Sequence, residues 1–187
     1  MIHWAAGLLG CWAPSFGVVD VNWTTRTFPD NIPWDYAYYV VEDSGAHSGT
    51  AAGSDSLEVA TGSLPVDFAT PALNVYTHGL GYSYSDDPFF MYCAEEMTTE
   101  GDYNWWLPSC GLSGGSSGGP WIQPMDANGN GPIISVNSWG YTTAPGMAGP
   151  FLSGTSAECL YGEAVATAFA AVSGTQGEAG IVISCNP

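Results

Sequence analysis

The stretch CGLSGGSSGGPW, residues 110–121, holds five glycines around its serines and ends in a Pro-Trp pair. A serine hydroxyl becomes a nucleophile when a base removes its proton and when N–H donors stabilise the oxyanion that forms. Glycines leave backbone N–H groups open to a substrate because they carry no side chain. A cysteine and the Pro-Trp pair bracket the stretch, which argues against a flexible Gly/Ser linker. The pattern indicates Ser117 as a nucleophile, with the amides of Gly115 and Ser117 as its oxyanion hole.

The net charge of the chain is strongly negative. Eighteen Asp and Glu side chains face one arginine, Arg26, among 187 residues, which gives −17 at pH 7. Such a charge opposes phosphate backbones and anionic lipids alike, so we expect neither nucleic acid nor a membrane as a partner. A hydrophobic content of 45% excludes global disorder, and 187 residues suffice for one domain or two small barrels.

The five cysteines lack the C-x-x-C spacing of a structural zinc site or a thioredoxin-like motif. Together with the abundance of tryptophan and glycine and the absence of lysine, this favours disulfides formed in an oxidising compartment. We expect Cys93 to pair with Cys110 and Cys159 with Cys185, which leaves Cys11 without a partner. The sequence predicts no metal and no cofactor.

The sequence pattern is mostly of β type. Short runs rich in Val, Ile, Tyr and Trp, such as FGVVDVNW and GPIISVNSWGY, are separated by Gly, Ser, Asn, Asp and Pro. One segment, residues 156–172, predicts a helix, because five apolar residues fall near helical spacing: Leu160, Val165, Ala168, Phe169 and Val172. The sequence therefore predicts an all-β barrel or sandwich with one late helix, and residues 44–56 are the best linker candidate.

Three motifs of the chain resemble those of the chymotrypsin-like (trypsin-like) serine proteases. The Ser-Ser pair at the nucleophile resembles the bacterial and microbial branch of that family. GGSSGGPW resembles the nucleophile motif that is usually written G-D-S-G-G-P. VNSWGY resembles the Ser-Trp-Gly strand that pairs with the substrate, here Ser138, Trp139 and Gly140. PWDYAYYVV resembles the strand that carries the catalytic aspartate, here Asp35. The resemblance implies an all-β, chymotrypsin-like double antiparallel β-barrel with the first barrel incomplete, plus one C-terminal helix.

The same resemblance implies a secreted serine endopeptidase that cleaves a polypeptide substrate through an acyl-enzyme on Ser117, with Asp35 orienting a histidine. Gly111, six residues before the nucleophile, would lie at the base of the specificity pocket. Because no acidic residue is next to it, we expect a preference for neutral or apolar side chains. Ser116 stands where many members have an aspartate that binds a new N-terminal amine, so activation by that ion pair is not implied. We expect a monomer.

The histidine that this mechanism requires is missing from its usual context. The chain contains His3, His47 and His78, and none lies in a Thr-Ala-Ala-His-Cys-like motif before the aspartate. We therefore expect the histidine and much of the first barrel upstream of this chain. Residues 1–55 would be the remnant of the N-terminal barrel with a linker, and residues 56–187 the C-terminal barrel. The alternative is a non-catalytic pseudoprotease that uses the cleft as a peptide- or protein-binding module.

Other motifs compete with this interpretation. Residues 115–119 fit the G-x-S-x-G elbow of α/β-hydrolases, but that fold needs a histidine after the serine and none follows His78. Asp43, His78 and Ser156 follow the order of subtilisin-like enzymes, although the chain is short for a doubly wound sheet. DANGNG, residues 126–131, matches half of a calcium loop, but Asn137 occupies the position of the required glutamate. A hairpin turn explains it more simply.

Overall fold

The computed structural model describes residues 14–41, 58, 61–82, 90–167 and 180–185. The secondary structure of these segments is mostly strand. The ten strands are β1 (Pro14–Asp20), β2 (Ala37–Val41), β3 (Tyr76–Tyr82), β4 (Phe90–Glu96), β5 (Thr98–Glu100), β6 (Asn104–Leu107), β7 (Pro120–Ile122), β8 (Ile133–Val136), β9 (Met147–Pro150) and β10 (Gly180–Ile183). The helices are α1 (Val21–Thr25), a 3-10 turn at Ile32–Trp34, and α2 (Ala157–Ala166).

The strands form three sheets, ordered β10-β1-β2, β4-β3-β7-β8 and β5-β6-β9. The predicted all-β class with one late helix is confirmed, whereas the prediction of barrels is corrected because the sheets are not closed. No ladder joins β8 to β9 among the described strands. Instead, single contacts connect the second and third sheets: Trp139 forms an isolated bridge with Ala148, and the hydroxyl of Ser135 donates to the carbonyl of Pro150 at 2.8 Å.

The first sheet has β1 at its centre. Strand β2 pairs with β1 in antiparallel orientation, but β10 pairs with β1 in parallel orientation, from Gly17 opposite Gly180 to Asp20 opposite Ile183. This parallel pair departs from the antiparallel sheets that the sequence predicts. One face of the sheet buries Phe16, Val18 and Tyr38 against α2, forming the first hydrophobic core.

The second core lies between the other two sheets and carries the serine-rich loop. Its buried members are Met97, Trp105, Leu107, Cys110, Leu112, Trp121, Ile134 and Met147. Trp121 is fully buried, and its indole N–H donates to the side-chain oxygen of Asn137 at 2.7 Å. A buried indole needs such a partner, because an unpaired N–H costs about 1–3 kcal/mol. The Pro-Trp pair after the serines therefore anchors the loop in the core.

Helix α2 is shorter than residues 156–172. It begins at Ala157 and ends at Ala166, and it buries Ala157, Leu160 and Ala164 on the face that meets the first sheet. Val165, which the spacing places near the buried stripe, is 69% exposed. That expectation was wrong because the buried face continues from Leu160 to Ala164, four residues on. Ala168, Phe169 and Val172 lie outside the described residues.

Two disulfides connect these cores to the chain around them. Cys93 is bonded to Cys110, and Cys159 to Cys185, as the sequence predicts. The first ties β4 to the start of the serine-rich loop, and the second ties α2 to the residues after β10. Loops of this size gain about 3 kcal/mol from closure in the chain-entropy picture. Cys11 lies outside the described segments. Among those segments, no helix has the length and apolar character needed to cross a bilayer.

Candidate active site

Asp35 and Ser138 meet although they are 103 residues apart in sequence. The 3-10 turn at Ile32–Trp34 ends at Asp35, whose N–H donates to the carbonyl of Ile32 at 3.1 Å. Ser138 follows β8, and its N–H donates to the carbonyl of Ala148 at 2.9 Å. With both backbones fixed in this way, the hydroxyl of Ser138 donates a short hydrogen bond to Oδ2 of Asp35. This pair joins the chain segment before β2 to the segment that follows β8.

The surroundings of Asp35 favour its neutral form more than water does. Burial raises the pKa of its carboxyl, and the hydrogen bond from Ser138 lowers it by a smaller amount. A carboxylate held in this way is costly by itself. A cation beside its other oxygen would offset this cost. In a Ser-His-Asp triad, the protonated imidazole of the histidine is that cation, and the aspartate stabilises it in turn.

The loop that carries Ser117 uses some of its backbone N–H groups and leaves others open. Ser116 donates to the carbonyl of Ser113 at 3.2 Å, Gly118 to that of Asn137 at 2.8 Å, and Gly119 to that of Ser116 at 3.0 Å. Within the described part of the chain, the N–H groups of Gly115 and Ser117 donate to no backbone acceptor. These two amides are the pair that the sequence assigns to the oxyanion hole, and they remain available to a ligand.

The backbone shape of the loop requires glycine. Gly115 has φ of 97° and Gly118 has φ of 77°, a region that side chains strongly disfavour. Between them, the side chain of Ser116 is buried and donates to the carbonyl of Ser113 at 2.7 Å, whereas Ser117 is exposed. The alternation presents Ser117 to solvent and fixes its neighbour inside the protein.

Asn137 holds the loop in place and was missed as a site residue by the sequence analysis. It is 2% exposed, and its amide nitrogen donates to the carbonyls of Leu80 at 2.8 Å and Ser116 at 2.9 Å. Its backbone N–H donates to the carbonyl of Gly119 at 2.8 Å. From the sequence, Asn137 stands out only as the residue in place of the glutamate of a calcium loop. Its location directly before Ser138 was the available signal.

Close packing of the loop on β3 depends on glycines in both elements. A Cβ on Gly81 would lie 2.8 Å from the Cβ of Ser116. A Cβ on Gly119 would lie 2.0 Å from the carbonyl oxygen of Leu80. These distances are shorter than any van der Waals contact, so only hydrogen fits at either position. The glycines of THGLGY and GGP therefore set the depth at which the serine loop lies.

A cavity of about 380 Å³ opens beside Ser117. It is lined by residues from two segments, 110–117 and 138–147, and none of the lining side chains is charged. Gly111 is exposed on its wall with nothing within 4 Å of a Cβ, whereas a Cβ on Gly140 would lie 2.5 Å from the carbonyl oxygen of Gly146. The cavity thus brings Gly111 and Ser117 together with Ser138, Trp139 and Gly140.

The described residues place no histidine at this cavity. His78 lies in the middle of β3, opposite Ala94 on one side and Ile122 on the other, and it does not line the cavity. Its Nδ1 is buried without a hydrogen-bond partner among the described residues. His3 and His47 fall outside those residues. Among the described residues, Ser117 and Ser138 therefore line the cavity and Asp35 is hydrogen-bonded to Ser138, with no imidazole beside them.

Two competing motifs adopt structures unlike a reactive site. The carboxylate of Asp126 accepts the N–H groups of Asn128 and Asn130, both at 2.8 Å, and closes the turn between β7 and β8. Ser156 is 1% exposed, and its hydroxyl is paired with that of Tyr36 at 2.9 Å. In the described segments, no group of three His, Cys, Asp or Glu side chains is placed to hold a metal ion.

Comparisons with known proteins support the fold. The sequence matches no protein-family model and no curated protein. Among solved structures, it is similar to protease Anisep from Arthrobacter nicotinovorans, with 26% identity and a TM-score of 0.65 over 83% of this chain and 68% of that one. It is also similar to AL20, a thermostable serine protease from an extremophilic microorganism, with 30% identity and a TM-score of 0.64 over 84% and 68%.

A third structure, a Glu endopeptidase, shares 14% identity and has a TM-score of 0.56 over 81% of this chain and 62% of that one, and it supports the fold alone. The fold defines a protein of the serine-protease class. The similarity to AL20 is specific enough to go further. The chain belongs to the chymotrypsin-like serine proteases, and its neighbours are bacterial members of that family.

Proposed function

We propose that the protein is a serine endopeptidase that cleaves polypeptides through an acyl-enzyme on Ser117. The observation that supports this best is the hydrogen bond from Ser138 to Asp35, close to a cavity that Ser117 and Ser138 both line. A partly buried carboxylate next to a substrate cleft is the kind of group that orients a catalytic imidazole and stabilises its charged form. The open N–H groups of Gly115 and Ser117 supply the matching oxyanion donors.

The reaction follows from these groups. The Oγ of Ser117 forms a bond with the substrate carbonyl carbon while its proton passes to the imidazole that Asp35 orients. The N–H groups of Gly115 and Ser117 donate to the resulting oxyanion. The C–N bond then breaks, and the leaving amine takes the proton from the imidazole. Water releases the acyl group from Ser117 by the same steps. The imidazole is expected from outside the described residues.

The cavity beside Ser117 supports a preference for a neutral side chain at the cleavage site. Its lining carries no charged group, and its volume of about 380 Å³ is sufficient for a long aliphatic or an aromatic side chain. The neighbouring Ser138–Gly140 segment offers backbone groups to an extended substrate. We expect Trp139 to pack against the substrate chain and Gly111 to lie beside the side chain that enters the cavity. The two disulfides favour action outside the cell. We expect the protein to act as a monomer.

The alternative is a peptide-binding module without catalysis. It is favoured by one observation, namely that the only histidine in the described segments, His78, lies within a sheet and away from the cavity. The two functions differ in one property, since binding alone leaves a peptide substrate intact.

Peptide cleavage tests the proposal. The chain and a form extended upstream in its reading frame would be incubated with a mixed peptide library, and the cleaved bonds mapped by mass spectrometry. We expect cleavage after neutral residues by a form that includes the histidine. It should be lost in Ser117→Ala and kept in Ser109→Ala, a control at an exposed serine outside the cavity. Binding of uncleaved peptides by every folded form would contradict the endopeptidase and support the alternative.

A further inference from the structure

Asn137 contacts both peptide groups that flank Ser117. Its side-chain amide donates to the carbonyl of Ser116 at 2.9 Å, and its backbone carbonyl accepts from the N–H of Gly118 at 2.8 Å. The first contact holds the peptide between Ser116 and Ser117, and the second holds the peptide between Ser117 and Gly118. Because Ser117 itself is exposed at the cavity, these two peptides rather than side-chain packing fix its backbone.

The direction of the Ser117 N–H follows from the first of these peptides. A trans peptide is planar, and its C=O and N–H point to opposite sides. The carbonyl of Ser116 points inward, because it accepts from the buried amide of Asn137 and also from the N–H of Gly119 at 3.0 Å. The N–H of Ser117 therefore points outward, and among the described residues it donates to no backbone acceptor.

Rotation of this peptide is unfavourable. A flip that turns the N–H of Ser117 inward also turns the carbonyl of Ser116 away from its two donors. The side-chain amide of Asn137, which is 2% exposed, would then lose one of its two acceptors. A buried donor left without its acceptor costs more than the contact itself gains. The contact with Asn137 therefore selects one orientation of the peptide.

Three partners fix the orientation of the Asn137 side chain. The indole N–H of Trp121 can only donate, so the atom that it reaches at 2.7 Å is the side-chain oxygen. The carbonyls of Leu80 and Ser116 can only accept, so the atom at 2.8 and 2.9 Å from them is the nitrogen. A Cβ on Gly119 would lie 2.7 Å from that nitrogen, so the packing leaves no room for another arrangement.

Resting on the proposed function, we infer that Asn137 is a positioning residue for the reaction, because its side-chain amide sets the peptide between Ser116 and Ser117 so that the N–H of Ser117 is directed at the oxyanion. Asn137 does not touch the substrate and acts through the peptide that it holds. A donor that is already oriented needs no rearrangement when the charge develops. Loss of the contact should therefore weaken the hydrogen bond to a negatively charged oxygen.

NMR of the ¹⁵N-labelled chain tests this inference without any catalytic step. The ligand is an N-acetylated peptide that ends in a neutral residue with a free carboxylate, because a product carboxylate places one oxygen where the oxyanion forms. The matched ligand ends in a carboxamide. We expect the amide proton of Ser117 to move downfield at saturation with the acid and to move less with the carboxamide, because hydrogen bonds to charged acceptors are stronger.

Variants assign this shift to Asn137. In Asn137→Ala, the downfield shift at saturation should fall below about half of its native value, because the N–H is no longer aligned with its acceptor. Ser135→Ala is the matched control, since it removes another buried hydrogen bond of β8, to the carbonyl of Pro150, without touching the loop. Its shift should equal the native one.

Asn137→Asp is the second variant, for use if the alanine variant fails to fold. It keeps an acceptor for the indole of Trp121 and loses the donor to Ser116. Its downfield shift should fall likewise. Because the shift is read at saturation, an effect of the new charge on affinity does not enter the comparison.

Three results would overturn the inference. They are an amide proton of Ser117 that does not respond to the acid, an equal shift in the native chain and in a folded Asn137 variant, and an equal loss in Ser135→Ala. Failure of the endopeptidase proposal has a different signature, namely the expected shifts in a histidine-containing form that cleaves no peptide. The two failures are therefore distinguishable.

Discussion

The buried amide of Asn137 donates a hydrogen bond to the carbonyl of Ser116, at 2.9 Å, and so connects the strand that ends at Val136 to the residue before the candidate nucleophile. A second hydrogen bond from the same nitrogen reaches Leu80 on β3 at 2.8 Å. One side chain therefore fixes the serine loop to two strands of the sheet. The position of Ser117 depends on this contact as much as on its own glycines.

Replacement of Asn137 by alanine should therefore destabilise the protein. The change leaves the indole of Trp121 and the carbonyls of Leu80 and Ser116 without their partner, at a cost of about 3 kcal/mol in the free energy of unfolding. Urea unfolding followed by tryptophan fluorescence measures it. Asn128→Ala, on an exposed turn, is the matched control and should stay within about 0.5 kcal/mol of the wild type. Equal stability of the two variants would refute the role given to Asn137.

Gly119→Ala should prevent the loop from docking on β3. The added methyl group would lie 2.0 Å from the carbonyl oxygen of Leu80, and the backbone must move to accommodate it. We expect a loss of about 2 kcal/mol or more in stability, measured by urea unfolding. Gly111→Ala, where a Cβ meets nothing within 4 Å, provides the comparison. Unchanged stability of Gly119→Ala would mean that the loop lies further from β3.

Asp35→Asn should stabilise the chain at neutral pH. Burial raises the pKa of the Asp35 carboxyl in the folded state, so folding favours its protonated form. Its contribution to stability is therefore fully present below the unfolded pKa, about 4, and is lost as pH rises through the folded pKa. The neutral amide avoids this loss. Urea unfolding at pH 4 and pH 7 should show the gain of the variant growing with pH; a loss at pH 7 would contradict it.

Asp126→Asn should show the opposite trend and serves as its control. Hydrogen bonds from the backbone N–H groups of Asn130 and Asn128 lower the pKa of the Asp126 carboxyl. Its ionised form therefore stabilises the fold above the unfolded pKa, and this contribution disappears as pH falls through the folded pKa. The variant should be less stable than the wild type at neutral pH and equal to it in acid. The same pH series as for Asp35 measures both slopes.

Gly111→Asp should change the ligand preference of the cavity beside Ser117. Open space at the Cβ allows the side chain to enter, and its carboxylate would be the only charge on the lining. We expect a cationic arylamidine such as p-aminobenzamidine to bind at least about tenfold more tightly to this variant than to the wild type. Gly111→Asn, similar in size but neutral, should show no such gain. Equal binding to both variants would place Gly111 away from the ligand.

The sequence predicted the local chemistry better than the architecture. Both disulfides were assigned correctly, because few alternatives remained for cysteines around the serine loop and the helix. The all-β class followed from the short strands and their turns. The parallel pairing of β10 with β1 could not be predicted, since register between strands so distant in sequence depends on the packed core.

The site shows the same division. The glycine spacing predicts Ser117 and its two amides as site residues, and two separate motifs predict Asp35 and Ser138. Nothing in either motif states that these two side chains meet, because that contact is created by the docking of residues 32–35 onto the cleft. Asn137 was missed for the same reason, because its role arises from neighbours that lie far apart in the sequence.

Covalent labelling with a fluorophosphonate probe, with the adduct located by mass spectrometry, is the direct test of Ser117 as the nucleophile. The chain, a form extended upstream and the Ser117→Ala variant of each would be compared. We expect an adduct on Ser117 in the form that includes the catalytic histidine, and none in either Ser117→Ala variant. A folded, histidine-containing form that leaves Ser117 unlabelled, or that is labelled at another serine, would contradict it.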